Sequence, residues 1–226
     1  MENKKYWEKI YKNNWQQQRF FPNEELCRFL GRNYNKNNLI KKKVLELGSG
    51  TGNNIPAFLH FNFEVTAIDI SKACIKKCQK KLYKNKKIKF ITMSMLGIEK
   101  IKFKFDLIAD VFSSYNLNNA EGNLLLNKVY NKLNKGGTFF TYFPSKNSTS
   151  WIREKKYRYD QSTLNGFKQK NSPFYGNFGF FRFLSVDEYK KKLLKIGFKI
   201  NYLEKTSRTY NNLGEYFEFI IIEAKK

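Results

Sequence analysis

The chain has 226 residues, of which 41% are hydrophobic, so it can bury one substantial core and we expect a single domain over residues 1–226. Lys and Arg number 43 against 19 Asp and Glu, and the net charge of +24 would draw the protein toward nucleic acid or anionic surfaces. Lysine and asparagine recur along the whole chain, however, so a generally basic surface is the other interpretation. No apolar run approaches the ~18 residues of a membrane span, and the first 14 residues are charged and polar, so we predict a cytoplasmic protein without a membrane span.

Cysteine and histidine are sparse. Cys27, Cys74 and Cys78 are an odd set, which argues against a disulfide framework. Structural zinc usually takes four ligands at closer spacings, so we expect no metal site and interpret the cysteines as small buried side chains. His60, the only histidine, is predicted to be structural.

Short apolar runs alternate with helical patterns along the chain. Asn23 precedes two glutamates and predicts a helix through about residue 33, and Ser71 and Ser185 are expected to begin two further helices. A helix over 120–133 is predicted to end at Gly136 and Gly137. The predicted strands cover residues 44–47, 64–68, 88–93, 105–109 and 138–143, followed by an antiparallel hairpin over 198–203 and 216–223.

This alternation predicts an α/β fold. We expect a Rossmann-like, mostly parallel sheet of seven strands with an antiparallel last strand and helices on both faces. The predicted parts are a helical N-terminus with a lid (1–40), a cofactor-binding core (41–143), an aromatic lid insertion (144–184), and a closing helix with a strand hairpin (185–226).

The stretch VLELGSGTG, residues 44–52, places three alternating glycines at the end of the first predicted strand. An open α/β sheet binds ligands at the carboxyl ends of its strands, and the following helix offers free N–H groups to a negative group. A dinucleotide fingerprint would need glycine where Asn53 stands. A turn without a ligand would leave unexplained the acid Glu46 within an apolar strand. Because Asp69 ends the second strand, the pattern indicates a ligand with a ribose and a cationic part.

Five segments in order resemble the class I S-adenosylmethionine-dependent methyltransferases, in particular their small-molecule group. The similar segments are VLELGSGTG, VTAIDIS, FDLIADVFSSYNL, LNKVYNKLNKGGTFFTYFPS and RFLSVDEYKKKLLKIGFKINYLE. The resemblance covers most of residues 44–226, with a gap at the insertion, and implies S-adenosyl-L-methionine as the cofactor.

The resemblance implies a role for each matching residue. The glycine loop would approach the methionine moiety of the cofactor, Glu46 would face its ammonium group, and Asp69 would accept hydrogen bonds from the ribose hydroxyls. Ser94 stands where the family often has an acid that holds adenine. The implied cofactor-binding residues are Trp15, Arg19, Glu46, Gly48, Ser49, Gly50, Gly52, Asp69, Ile70, Ser94, Met95 and Asp110.

The upstream segment is similar to the N-terminal helix and lid of the same group. Trp7, Trp15 and Arg19 would cover the cofactor, with Arg19 pairing with its carboxylate. The other interpretation is that both tryptophans only anchor a helix on the core.

The acceptor is less well defined by the sequence. Asp110 or Tyr115, after the fourth strand, could assist as a general base, whereas Asn116 stands where many relatives have a histidine. The stretch 145–184 is too long for an ordinary loop and is rich in aromatic residues and arginines, which predicts a lid over the acceptor. The candidate acceptor contacts are Tyr115, Trp151, Tyr175 and Arg182. Alternatively, these aromatics only seal the lid onto the sheet.

Three functions remain open at this point. The first is a methyltransferase for a small molecule, such as an anionic sugar or another metabolite, because lid arginines could hold a carboxylate or phosphate. The second is an RNA or protein methyltransferase that uses the basic surface, and we place nucleic acid below a small molecule as the partner. The third is a non-catalytic S-adenosylmethionine-binding protein.

Overall fold

The computed structural model describes residues 2–13, 21–37, 40–82 and 85–226. It contains nine strands in these parts of the chain. They are β1 (Lys42–Leu47), β2 (Phe63–Asp69), β3 (Ile88–Thr92), β4 (Phe105–Val111), β5 (Leu133–Pro144), β6 (Thr163–Asn165), β7 (Phe180–Arg182), β8 (Lys199–Tyr210) and β9 (Glu215–Lys225).

Seven of the strands form one sheet in the order β3-β2-β1-β4-β5-β9-β8. The first five strands of this order are parallel, and β9 runs antiparallel to both of its neighbours, β5 and β8. The predicted seven-stranded, mostly parallel sheet with an antiparallel last strand is therefore confirmed. Because the chain moves outward in one direction from β1 and in the other from β4, a crevice opens between the carboxyl ends of these two strands.

Helices accompany the sheet, and the predicted caps begin three of them. Asn23 and Ser185 accept backbone hydrogen bonds at the start of their helices, and the Ser71 hydroxyl accepts one from Cys74 N at 3.1 Å. None of the helices in the described ranges is long and apolar enough to cross a membrane. The helices are α1 (Glu2–Asn13), α2 (Glu24–Asn33), α3 (Ile55–His60), α4 (Lys72–Leu82), α5 (Asn119–Lys132), α6 (Thr149–Arg153) and α7 (Val186–Ile196).

The predicted extent of α5 holds to within one residue, but the two glycines do not form its terminal turn. The helix ends at Lys132, and β5 begins at Leu133, so both glycines lie inside the strand. Gly136 has φ +74°, and the pairing register of β5 with β4 shifts in this region. The glycines therefore allow an irregularity at the start of a strand, where a left-handed backbone would strain other residues.

The predicted burial of the cysteines holds for two of the three. Cys74 and Cys78 are buried on α4, whereas Cys27 is exposed on α2, outside the buried face that Leu26, Phe29 and Leu30 form. His60 is exposed at the end of α3. Among the described residues, no group of His, Cys, Asp and Glu could hold a metal ion.

The segment 144–184 crosses the carboxyl end of the sheet. It contains α6 and the small antiparallel sheet of β6 and β7. The Glu154 carboxylate accepts hydrogen bonds from the backbone of Lys168 and Gln169, and Arg153 pairs with Glu215 at 2.8 Å. Phe181 is fully buried and packs on Phe167, so part of the aromatic content seals this segment onto the core.

Candidate functional site

A cavity of about 610 Å³ lies at the carboxyl ends of β1, β2 and β4. The residues after these strands form its floor, and α1 and the segment 173–177 form its walls. Its position coincides with the crevice between β1 and β4, where an open parallel sheet binds its ligands.

The three glycines after β1 have different reasons to lack a side chain. A Cβ at Gly48 would lie 2.6 Å from the Ser113 Cβ, and one at Gly52 would lie 2.4 Å from the Cys78 Sγ. Gly50 borders the cavity, with the Tyr11 hydroxyl 3.1 Å from its Cβ position. All three have positive φ, so the loop combines a left-handed backbone with close approach to the turn after β4, to α4 and to the cavity. Gly52 itself does not line the cavity.

Asp69 ends β2 in the wall of the cavity. Its carboxylate accepts hydrogen bonds from Gly50 N at 3.0 Å and from Ser71 N at 2.9 Å, and its side chain is largely buried. Burial raises the pKa of Asp69, and the backbone N–H groups oppose that shift. Asp69 therefore joins the glycine loop to α4 and still presents an acceptor to the cavity.

Glu46 lies behind the cavity and does not line it. It accepts a hydrogen bond from Asn54 Nδ2 at 2.8 Å, and its Oε2 has no hydrogen-bond partner among the described residues. Burial raises the pKa of Glu46 to about 8, with the Asn54 hydrogen bond opposing and the nearby Asp69 adding to the shift. Asn54 does line the cavity, so a ligand meets Asn54 before it meets Glu46.

Asn54 was not predicted from the sequence as a site residue. Besides its contact with Glu46, its Oδ1 accepts a hydrogen bond from Asn23 N at 2.9 Å, which ties α2 to the start of α3. A polar residue just before a helix is a weak signal, because most such residues only cap the helix. Here the Asn54 side chain makes no cap bond and spans two elements instead.

Two hydroxyl groups of the glycine loop also face this region. Ser49 and Thr51 line the cavity, and their hydroxyl oxygens are buried without a hydrogen-bond partner in the described part of the chain. Buried polar groups are normally hydrogen-bonded, so these oxygens indicate a site that a polar ligand completes.

Asp110 does not line the cavity, contrary to its predicted roles in cofactor binding and catalysis. Its Oδ1 accepts hydrogen bonds from Ser113 N, from the Ser113 hydroxyl at 2.9 Å and from Ser114 N at 2.9 Å, and its Oδ2 accepts one from the Ser114 hydroxyl. Both carboxylate oxygens are therefore engaged in holding the turn after β4, which leaves Asp110 poorly placed to take a proton from an acceptor.

Aromatic side chains from the turn after β4 and from the insertion line another part of the cavity. Tyr115 lines the cavity as predicted, with its ring 4.3 Å from that of Phe112, and Phe174 lies 5.5 Å from Phe112. Tyr175 also lines the cavity and is 54% exposed at its edge. Phe112 was not predicted. Its position depends on a left-handed backbone, with φ +54°, which a phenylalanine in a sequence does not indicate.

Arg182 is buried away from the cavity, so the expectation that it contacts an acceptor does not hold in this structure. Its Nη2 donates to the Ser114 carbonyl at 3.3 Å, and the guanidinium lies 5.0 Å from the centre of the Phe143 ring. It occupies space left by Gly122, where a Cβ would lie 1.0 Å from Arg182 Nη1. The residue is fully buried, so it supports the turn at Ser114 from below.

Trp151 is also outside the cavity. It is buried, with its ring 5.6 Å from Phe183, and the guanidinium of Arg158 lies 4.1 Å from its ring centre. The predicted contact of Trp151 with an acceptor therefore does not hold either, because the side chain packs inside the insertion.

Helix α1 closes one side of the cavity. Tyr6, Trp7, Ile10 and Tyr11 line it. The helix is attached to α4 through Glu8, which accepts hydrogen bonds from the Ser71 hydroxyl at 2.8 Å and from Ala73 N at 3.2 Å.

The other predicted cofactor residues divide between the cavity and the undescribed part of the chain. Trp15 and Arg19 lie outside the described residues. Gly48, Ser49, Gly50, Asp69, Ile70, Ser94 and Met95 line the cavity.

Part of the chain is similar to a known protein family. Residues 44–137 match the family model of a methyltransferase domain. A search of curated proteins gave no match.

Three solved structures are similar over nearly the whole chain. A SAM-dependent methyltransferase from Methanosarcina mazei has 15% identity and a TM-score of 0.67, covering 87% of this chain and 96% of its own. A putative S-adenosylmethionine-dependent methyltransferase from Listeria monocytogenes has 19% identity and a TM-score of 0.65, covering 88% and 97%. The 1,6-didemethyltoxoflavin-N1-methyltransferase from Burkholderia thailandensis, solved with 1,6-didemethyltoxoflavin and S-adenosylhomocysteine, has 12% identity and a TM-score of 0.68, covering 99% and 88%. At these identities the likeness shows a shared fold.

Proposed function

We propose that this protein transfers a methyl group from S-adenosylmethionine to a small-molecule acceptor. Residues 44–137 match the family model of a methyltransferase domain, and the similar solved structures share the fold of this chain. The observation that carries this proposal is the cavity itself. It brings together the glycine loop, the carboxylate of Asp69 and an aromatic wall at the carboxyl ends of β1, β2 and β4.

The residues present fit the proposed cofactor. The Asp69 carboxylate is suited to the ribose hydroxyls, and the buried hydroxyls of Ser49 and Thr51 offer polar partners beside the glycine loop. The Ser94 hydroxyl accepts a hydrogen bond from Leu96 N at 3.2 Å, which leaves its proton for an acceptor on the adenine. Asn54, backed by Glu46, is placed to meet a cationic group.

S-adenosylmethionine supplies an activated methyl group on a sulfonium centre, so the protein must chiefly align the acceptor and exclude water. Trp7 and Tyr11 of α1 cover the glycine loop, and Tyr175 borders the same cavity. Among the described lining residues there is no histidine, and Asp69 is the only carboxylate. Catalysis therefore rests on orientation, with Tyr115 as the candidate residue nearest the acceptor.

Calorimetry tests the proposed cofactor directly. S-adenosylmethionine and S-adenosylhomocysteine should bind at micromolar levels, whereas NAD should not bind, because Asn53 replaces a glycine that a dinucleotide loop requires. Binding of NAD without binding of S-adenosylhomocysteine would contradict the proposal.

The acceptor class is tested by turnover, because the net charge of +24 attracts polyanions whether or not they are substrates. We expect labelled S-adenosylmethionine to methylate a component of a small-molecule extract and to leave bulk RNA unlabelled. Efficient labelling of RNA at a defined site would instead favour the RNA methyltransferase.

A further inference from the structure

The part of the cavity that is lined by the end of β4, the turn after it and the insertion has an unusual composition for so basic a protein. We call it the acceptor half, and define it as the lining residues in 111–117 and 173–177. These residues lie at the end of β4, in the turn after it, or in the insertion. None of them belongs to β1, β2 or β3 or to the loops that follow those strands. None of the described residues that line any part of the cavity is Lys, Arg or His.

The arginines of the insertion do not line the described wall of the cavity. Arg153 pairs with Glu215, Arg158 stacks on Trp151 and donates to its carbonyl at 3.2 Å, and Arg182 is buried under the turn at Ser114. The cations that suggested an anionic acceptor therefore pack within the protein or against its outer surface. The abundant positive charge of the chain does not extend into the described wall of the cavity.

The acceptor half is instead built of rings and amides. Phe112 packs against Tyr115 at 4.3 Å and Phe174 at 5.5 Å, and Tyr175 lies at the open edge. Asn116 and Asn177 line the same region with uncharged amides, which are held in place because Asn116 Nδ2 donates to the Ser113 carbonyl at 3.0 Å and Asn177 Oδ1 accepts from Gly179 N at 3.0 Å. A flat ring packs well against such a wall, whereas a buried anion without a nearby cation would lose its hydration without compensation.

We propose that the acceptor half selects an uncharged, planar ring compound and discriminates against anionic acceptors. This inference rests on the proposed function for the assignment of the glycine-loop half to the methyl donor. It also implies that the acceptor atom is nucleophilic in its neutral form, because no histidine or further carboxylate lines the described wall.

A pair of probes that differ in charge but not in shape tests the proposal. Quinoline-3-carboxamide and quinoline-3-carboxylate should be titrated by calorimetry into the complex of the protein with S-adenosylhomocysteine. We expect the carboxamide to bind about tenfold or more tightly than the carboxylate, since only the carboxylate must bury a charge. The net charge of +24 favours the opposite order, so equal or tighter binding of the carboxylate would overturn the proposal. Failure of both probes to bind at a concentration of about 10 mM would also overturn it.

A variant pair locates the effect in the cavity. Tyr175→Lys places a cation at the edge of the acceptor half and should shift the preference toward the carboxylate by about tenfold. Tyr159→Lys is the matched control, because Tyr159 is 57% exposed, similar to the 54% of Tyr175, but lies outside the cavity. An equal shift in both variants would show that the discrimination comes from the general surface charge, and the proposal would fail.

Failure of the proposed function is measured separately. S-adenosylhomocysteine is first titrated alone into the same protein sample. Absence of that binding removes the proposed function, and the acceptor assignment with it. Binding of S-adenosylhomocysteine together with a preference for the carboxylate overturns only the acceptor assignment.

Discussion

The two halves of the cavity are built in different ways. The glycine-loop half consists of lining residues at or just after the ends of β1, β2 and β3, together with those of α1 and Asn23. The acceptor half combines the turn after β4 with residues 173–177, which lie about 60 residues farther along the chain. In the glycine-loop half, polar residues such as Asp69 and Ser94 line the cavity. In the acceptor half, the charged residues Asp110 and Arg182 do not line it and instead form hydrogen bonds with the turn at Ser114.

The difference shows in the two buried acids behind the cavity. Glu46, behind the glycine loop, has one oxygen without a partner among the described residues and a pKa raised to about 8 by burial. Asp110, behind the acceptor half, accepts hydrogen bonds through both oxygens from Ser113 and Ser114. Glu46 therefore keeps one carboxylate oxygen without a partner among the described residues. Both oxygens of Asp110, in contrast, are used in hydrogen bonds within the turn after β4.

The largest expected effect tests the state of Glu46. A carboxyl group with a raised pKa binds a proton in the folded protein where the unfolded chain has lost it, so its contribution to stability falls as pH rises from the unfolded value of about 4.5 to about 8. Denaturant unfolding of the wild type and Glu46→Gln should therefore diverge by about 3 kcal/mol between pH 5.5 and 8, with the wild type losing stability relative to the variant. Parallel pH profiles would show that Glu46 is ionised in the folded protein.

The next effect tests whether Arg182 supports the turn of the acceptor half from the space beside Gly122. Gly122→Ala would force the buried Arg182 guanidinium from its position, and we expect a loss of about 2–3 kcal/mol in the free energy of unfolding. Gly31→Ala is the matched control, because Gly31 lies within α2 and no atom of the described residues lies within 4 Å of its Cβ position. Alanine there should stabilise the protein by about 0.5–1 kcal/mol.

A double variant separates the packing conflict from other causes. In the Arg182→Ala background, Gly122→Ala should no longer be destabilising, because the guanidinium that it displaces is absent. Persistence of the full loss in that background would show that Gly122 is needed for another reason. S-adenosylhomocysteine affinity should change little in Gly122→Ala, since Gly122 does not line the cavity.

Asp69 tests the glycine-loop half. Asp69→Ala should weaken S-adenosylhomocysteine binding by about 1–3 kcal/mol, because ribose hydroxyls would be left without an acceptor. The affinity is measured by calorimetry, and a denaturation curve checks that the variant is folded. Unchanged affinity in a folded variant would remove Asp69 from the cofactor site.

The smallest expected effect concerns α1, which covers the same half. Glu8→Gln weakens the attachment of α1 to Ser71 and Ala73 and should lower S-adenosylhomocysteine affinity about three- to fivefold. Glu24→Gln, an exposed substitution in the first turn of α2, is the control and should have no effect. Equal affinities for the wild type and Glu8→Gln would mean that α1 does not contribute to the cofactor site.

The contrast between the halves also explains what the sequence could predict. The strands, the caps at Asn23, Ser71 and Ser185, and the glycine loop are local patterns, because each depends on residues within a few positions of one another. The alternation of strands and helices then places Gly48 and Asp69 at the same edge of the sheet, so much of the glycine-loop half follows from local signals.

The acceptor half could be predicted only in part, since Tyr115 and Tyr175 line it but Trp151 and Arg182 do not. An arginine in an aromatic segment gives the same signal whether it faces a ligand or fills a space in the core, and the space for Arg182 is created by a glycine 60 positions away. Asp110 was misjudged for a related reason, since only the folded turn shows that Ser113 and Ser114 occupy both of its oxygens. Tertiary packing, rather than local sequence, determines which side chains of this half remain open to a ligand.

The most direct test of the division between the two halves is a crystal structure of the protein with S-adenosylhomocysteine. We expect the ribose hydroxyls to lie within hydrogen-bond distance of Asp69, and the space between Phe112 and Tyr175 to remain open for an acceptor. S-adenosylhomocysteine bound with its ribose against Phe112 and away from Asp69 would contradict the assignment of both halves.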